Sequence, residues 1–394
     1  MDFTNLKNYL DRMVNEYNTP GVDCIVYKNH QQLFRYYTGF CDIENNKPMV
    51  GNELYIIFSM TKMLTCTCAL QLLEKGKYLL DDPVSKYLPQ FGKMKITRDA
   101  LDTAAAANIA SGRSIGESLD TTEDGYAKNP ITIRNLFTMS AGLDYSIGSP
   151  AIKRAIAENK CSTRDIVTAI SETILGFEPG TRFRYSLCHD VLGALIEVWS
   201  GQSFGDYMKQ HLLTPLGMSD TFFHFPTDAD RLQRMMGLYE YDPNHRPKRK
   251  DLECPYEITS EYESGGAGLI SCTEDYAVFL DALANGGVGK NGTRILSEAS
   301  VKMMKTNHLT GQQSEDFEQL RKGYGYGLGV RTHINKARSG SLSPLGEFGW
   351  DGAAGCFSMV DTDNQLSLTY FQQIYGWDVR LQGELRNVLY SCLD

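Results

Sequence analysis

Ser59 and Lys62 stand three residues apart in Phe58-Ser59-Met60-Thr61-Lys62, at the head of SMTKMLTCTCALQLLEKG, a run that reads as a helix stopped by Gly76. On a helix that spacing puts both side chains on one face, a turn apart. A serine at a helix N-terminus meets free backbone N–H groups and the positive end of the dipole, which favour developing negative charge. A lysine held there, partly buried and short of solvent, has its pKa lowered and can take the serine proton. The chemistry this pair supports is nucleophilic attack on a carbonyl. S-x-x-K alone is a weak signal, because an N-cap serine beside a surface lysine gives the same tetrapeptide.

Two other serines sit in G-x-S-x-G matches, Ser114 in Gly112–Gly116 and Ser203 in Gly201–Gly205. That pattern needs a strand-to-helix elbow to expose the hydroxyl. Ser114 has no strand before it, and Ser203 lies between two helical runs, where N-capping is a sufficient role. Two features support Ser59 instead. Tyr185-Ser186 in FEPGTRFRYSL precedes a long helical run, and a phenol brought near Lys62 could share its proton and donate to a leaving group. Gly349-Trp350-Asp351-Gly352-Ala353 ends a strand-like run, where glycine lets the backbone approach a substrate. The Ala353 N–H would then form an oxyanion hole with that of Ser59.

The elements that must position these groups come from both ends of the chain. A helix is expected in the first 17 residues, then strands over Asp23–Lys28 and Gln32–Phe40 joined at Asn29-His30. Near the other end, strands are expected over Tyr326–Thr332, Glu347–Trp350, Cys356–Asp361 and Leu366–Gln372. Helices are expected around Asp275–Asn285, Ser297–Thr306 and Val379–Leu393. The middle is mostly helical, with an Ala/Ser/Thr/Gly-rich insert near 98–129. The expected organisation is an α/β domain made of 1–90 and 265–394, with a helical domain, 91–264, inserted.

The 394 residues are 42% hydrophobic and carry 39 basic against 48 acidic side chains, a net charge of −9. This suits a globular protein and disfavours a nucleic-acid partner, since no basic surplus exists to neutralise phosphates. The basic run Arg246–Lys250 is expected to be a solvated loop. The ten cysteines are scattered, with no CxxC and no zinc-ligand spacing, so neither a metal nor any cofactor is expected. With no secretory signal pattern and no membrane-spanning stretch, the expected location is cytoplasmic.

Several motifs in order carry a resemblance. The S-x-x-K at Ser59, LFTMSAGL at Leu136–Leu143, PGTRFRYS at Pro179–Ser186, TPLGMSDT at Thr214–Thr221, GGAGLIS at Gly265–Ser271 and W-x-G at Trp350 resemble the serine β-lactamase and penicillin-binding-protein superfamily. Within it the chain is most similar to the class C-like esterases (family VIII carboxylesterases) and related acyltransferases. The resemblance implies a central antiparallel sheet flanked by helices plus a mostly helical domain, and it implies Ser59, Lys62 and Tyr185 as the catalytic group. Two positions depart from the β-lactam-processing members. Leu187 stands where a Y-x-N motif has its amide, and Trp350 stands where K-T-G has its lysine. Losing an amide and a cation removes recognition worth about 1.5–3 kcal/mol per charged contact. Trp350, Gly352 and Leu187 are therefore the expected substrate-binding positions, and the expected substrate is a small neutral ester. Acyl transfer to an alcohol, β-lactam or D-peptide hydrolysis, and a non-catalytic acyl-binding sensor are the alternatives. The oligomeric state is not legible.

Overall fold

The computed structural model describes residues 1–96 and 125–393. Strands β1 (Gly21–Lys28) and β2 (Gln31–Asp42) form an antiparallel hairpin. Asn29 and His30 turn it with φ of 49° and 62°, the left-handed pair that a two-residue hairpin loop requires. β3 (Lys47–Pro48) extends the edge. Five strands from the distant end of the chain complete the sheet: β4 (Tyr324–Tyr326), β5 (Arg331–His333), β6 (Phe348–Gly349), β7 (Phe357–Asp361) and β8 (Leu366–Phe371). The order is β4-β5-β6-β7-β8-β1-β2-β3, antiparallel throughout. The junction β8–β1 joins residues more than 330 positions apart in sequence, Asp23 facing Phe371.

Helices cover both faces, giving the antiparallel sheet flanked by helices that the motifs imply. The first helix, Thr4–Asn15, and the last, Arg380–Ser391, bury Leu6, Leu10, Leu385 and Leu389 against Val22, Val26 and Leu368. The helix Thr273–Ala284 lies on the other face, against β1 and β8. Beyond it runs the helix Thr61–Glu74, in which every residue from Thr61 to Leu72 is buried. A helix apolar or buried all round belongs to the centre of a large core rather than to a surface. The helix Cys188–Ser200 packs along it and ends at Gly201, whose φ of 76° provides the left-handed cap.

Three expectations change. The run 326–332 is not one strand: Gly327 N–H bonds back to the Val330 carbonyl at 2.7 Å, and the chain reverses between β4 and β5. Gly329, at φ 85°, allows this turn, which also brings it against Cys66. A helix over Gly311–Leu320 was not anticipated, because its sequence GQQSEDFEQL buries only Gln313 and Phe317 and so lacks an apolar stripe. The basic run is not a loop, since Pro247–Arg249 pairs with Tyr239–Tyr241 and Arg249 lies between Asp42 and Glu44. Between 125 and 264 helices predominate, with short strands at Gly125–Tyr126, Phe222–Phe223, Tyr239–Tyr241 and Pro247–Arg249. Most of the expected 98–129 insert, Ser114 included, lies outside the described residues. No described helix is long and apolar enough to cross a membrane.

Candidate active site

The short strand Tyr55–Ile56 pairs with Leu269–Ser271, and Ile57 N–H continues the contact to the Leu269 carbonyl at 3.1 Å. Phe58 then takes φ 46°, a left-handed conformation that a bulky residue adopts only when its surroundings hold it there. That bend leads into one 3₁₀ turn, Phe58–Met60, before the α-helix begins at Thr61. Ser59 therefore sits in the tight turn ahead of the helix, not in its first α-helical turn.

Lys62 is fully buried, further than the partial burial expected from sequence. Its Nζ donates to the Gly266 carbonyl at 2.6 Å, to the Tyr145 hydroxyl at 2.9 Å and to Ser59 Oγ at 3.3 Å. An ammonium has three protons, and these three acceptors account for all of them. Burial lowers the Lys62 pKa to about 7, against a smaller upward pull from the Asp190 carboxylate. Near neutrality Lys62 is thus divided between an ammonium and an amine whose lone pair has Ser59 within reach.

The loop Ser264–Leu269 fixes that geometry. Thr65 Oγ1 donates to the Gly265 carbonyl at 2.7 Å, and Thr61 Oγ1 accepts from Leu269 N–H at 3.1 Å. A Cβ on Gly265 would lie 2.3 Å from the His189 carbonyl oxygen, and one on Gly266 would lie 2.6 Å from Asp190 Oδ2. Only glycines let this loop come close enough to receive Lys62. Asp190 is itself buried, accepting from Tyr262 OH at 2.5 Å and Ser264 Oγ at 2.6 Å.

The tyrosine bonded to Lys62 is Tyr145, which the sequence reading did not single out. It follows LFTMSAGL by two residues, so extending that marker was the only available signal. Tyr185 does not hydrogen-bond Lys62; it lies with its ring centroid 4.5 Å from Nζ and stacks on Tyr145 at 5.4 Å. The Ser59 hydroxyl interacts with both phenols. Burial pushes both phenol pKa values upward, so each remains a neutral O–H donor.

Trp350 is buried beside them, with its indole N–H donating to Tyr185 OH at 3.1 Å. Its one side-chain donor, expected to face substrate, is engaged on the phenol. Gly352 packs on the segment before Ser59: a Cβ there would stand 2.6 Å from the Ile57 carbonyl oxygen. Its close approach is to Ile57 rather than to open space. Ala353 follows, half-buried, in the same apolar cluster as Phe58. Its carbonyl accepts from Trp377 Nε1 at 2.9 Å, while its N–H meets no acceptor among the described residues. Trp377 is a second residue the sequence reading passed over.

Leu187 lies in the hydrophobic core, and its N–H donates to the Asp144 carbonyl at 2.9 Å, tying the Tyr185 segment to the Tyr145 segment. It serves the site by joining those segments and by supplying no amide. Ser203 caps the short helix Phe204–Met208, accepting from Asp206 N–H, and lies exposed. Cys188 and His189 are buried and pack in the core, with His189 against Cys66 and its pKa lowered to about 3 by burial.

The profile of the Beta-lactamase family matches residues 6–390. Protein Rv1367c of Mycobacterium tuberculosis is 30% identical over 90% of this chain and 85% of its own length. Esterase EstB of Burkholderia gladioli is 26% identical over 91% of this chain and 87% of its own. Among solved structures, EstCE1, described as a hydrolase with promiscuous acyltransferase activity, superposes with a TM-score of 0.76. It is 22% identical and the match covers 98% of this chain and 97% of that one.

Proposed function

Because the chain belongs to the Beta-lactamase family, we propose that it is a serine carboxylesterase cleaving small neutral esters through an acyl-enzyme on Ser59. The neutral Lys62 amine takes the Ser59 proton as Oγ attacks the ester carbonyl carbon. The carbonyl oxygen becomes an oxyanion held by the N–H groups of Ser59 and Ala353. As the tetrahedral species collapses, the C–O bond to the alcohol breaks. The leaving oxygen receives a proton from Tyr185 OH or from the Lys62 ammonium, leaving the acyl group on Ser59. Water then attacks the acyl-enzyme by the same steps, releasing the carboxylic acid and restoring Ser59.

The carrying observation is Lys62: fully buried, 3.3 Å from Ser59 Oγ, with a pKa near 7. Between Lys62 and the phenols, the magnitudes favour Lys62 as base, because the phenols are pushed away from neutrality and Lys62 is pushed towards it. The neutral substrate follows from Trp350 and Leu187, which give the site neither the cation nor the amide that charged or peptide-like substrates use. The test is turnover of p-nitrophenyl butanoate. The wild-type chain is expected to show a burst and steady hydrolysis, with Ser59→Ala inactive and a phosphonate adding mass to the Ser59 peptide. Turnover retained by Ser59→Ala overturns the assignment.

Acyl transfer to an alcohol is the second reading, favoured by the description of EstCE1. An acyl-enzyme reached by water is equally open to an alcohol, and formation of a new ester in the presence of a short alcohol identifies it. A nitrocefin assay separates both from a β-lactamase. A Ser59 adduct persisting for hours would mark a sensor.

A further inference from the structure

The phenols around Ser59 divide into two kinds. Tyr145 is bonded to Lys62, Tyr185 to Trp350, and Tyr262 to Asp190. Tyr256 differs. Its ring sits edge-on against Tyr145 (centroids 5.7 Å, 80°) and against Phe58 (6.4 Å, 79°), the two residues that flank the nucleophile. Only 5% of the residue is exposed. Its hydroxyl meets no hydrogen-bond partner among the described residues. Nor is it one of the sealed, unpartnered oxygens, a group that includes those of Tyr55 and Tyr326. The small exposed part of Tyr256 therefore includes the oxygen: the ring is buried and the tip is open.

Tyr375 also packs against Phe58, with ring centroids 5.7 Å apart, acts electrostatically on Tyr256, and has a hydroxyl that is likewise open and unpartnered among the described residues. It lies on the strand Ile374–Tyr375, whose Ile374 N–H holds the Ala354 carbonyl at 2.9 Å, next to the Ala353 N–H. Apolar side chains, Ile147 and Leu252, share the same cluster. A phenol whose ring is packed beside a nucleophile, with only its donor open, is placed to grip a polar atom on whatever enters.

We propose that the Tyr256 hydroxyl, with Tyr375 beside it, binds a second oxygen of the ester substrate, an ether, hydroxyl or keto oxygen separate from the reacting carboxyl. The chain thus selects oxygenated esters over plain alkyl ones. This rests on ester cleavage at Ser59. A plain methylene chain entering the same space offers the phenol no acceptor and takes its hydroxyl out of contact with solvent. The second oxygen belongs either to the acyl chain or to the alcohol, and paired substrates of equal length separate the two.

The acyl arm compares ethyl 4-methoxybutanoate with ethyl hexanoate, and the alcohol arm compares 2-methoxyethyl butanoate with butyl butanoate, all followed by pH-stat. In one arm the wild-type chain is expected to favour the methoxy ester in kcat/KM by about tenfold, the scale of one neutral hydrogen bond. Tyr256→Phe is expected to bring that ratio to about one, through KM rather than kcat. Equal rates within both pairs, or a preference that survives Tyr256→Phe, overturns the inference and leaves the esterase reading standing. Failure of the wild-type chain to cleave any of the four esters overturns both.

Discussion

Trp350 donates its indole N–H to the Tyr185 hydroxyl at 3.1 Å, and the two rings stack with centroids 5.6 Å apart. A phenol that accepts from one side has its own proton free to point elsewhere, and the Ser59 hydroxyl lies close enough to act on it. Trp350 thus occupies one lone pair of Tyr185 and limits where its proton can point. Trp350→Phe keeps a stacking ring and removes the donor. The expected result is a fall in kcat of about tenfold with KM changed far less, read by steady-state kinetics on p-nitrophenyl butanoate. An effect confined to KM would make Trp350 a substrate wall instead.

The pH profile follows from the buried amine. Lys62 acts as a base only when neutral, and its pKa is about 7. The logarithm of kcat/KM should climb with unit slope below that value and level off above it. A limb that instead bends near the ordinary lysine value assigns the base elsewhere.

The same burial has a stability consequence of known sign. Lys62 binds its proton less tightly in the folded chain, with a pKa of about 7, than at the ordinary lysine value of 10.5. Below about pH 7 both states are protonated and the folded state carries the full penalty of a buried ammonium. Between the two values the penalty fades as pH rises, because only the unfolded chain is charged, and above 10.5 it is gone. Lys62→Met should therefore abolish turnover yet stabilise the fold, by a few kcal/mol at most, less what Tyr145 and Gly266 lose in partners. Urea denaturation should show a larger gain at pH 6 than at pH 10, and the reverse order would contradict this account.

Ser203 and Ser59 give opposite results. Ser203→Ala removes a helix cap and should lower stability by about 1 kcal/mol while leaving esterase turnover unchanged. Ser114→Ala is likewise expected to leave turnover intact. Loss of activity in either variant, with the fold preserved by circular dichroism, would reopen the choice of nucleophile.

Asp351, between Trp350 and Gly352, accepts from Arg321 Nη2 at 2.7 Å and lies 3.6 Å from Arg331 Nη1. Arg331 is fully buried and otherwise shares Glu347 with Arg386. The arginines hold the Asp351 pKa below its usual range despite burial. Asp351→Asn leaves Arg331 short of a counter-charge and is expected to destabilise the fold by about 3 kcal/mol or more. A change within about 0.5 kcal/mol would mean that Glu347 suffices alone.

The sequence made the Ser59–Lys62 pair readable because the two are local, one turn apart, and because the flanking motifs occur in order. The hairpin at Asn29-His30 and the terminal helices were readable for the same reason, since their turn chemistry and periodicity are local. Tyr145 was not, although its hydroxyl is among the nearest atoms to Lys62 Nζ. The contact spans 83 positions in sequence and depends on how the core closes. Pro247–Arg249 was misread because its basic composition says loop, whereas its pairing with Tyr239–Tyr241 depends on tertiary structure. The role of Trp350 shifted for a related reason. The sequence shows a tryptophan in the lysine's place, but only the fold says where its indole N–H points.

The helix Thr61–Glu74 has consequences for how such a protein changes over time. Enclosed from Thr61 to Leu72, it has little room for substitutions that alter volume. Loops that touch it through glycine carry the same restriction. Tyr256 and Tyr375 lie outside this frame, each on a loop or short strand at its margin. Exchange of a few marginal side chains is therefore the change this frame accommodates most readily, with Ser59 and Lys62 left in place.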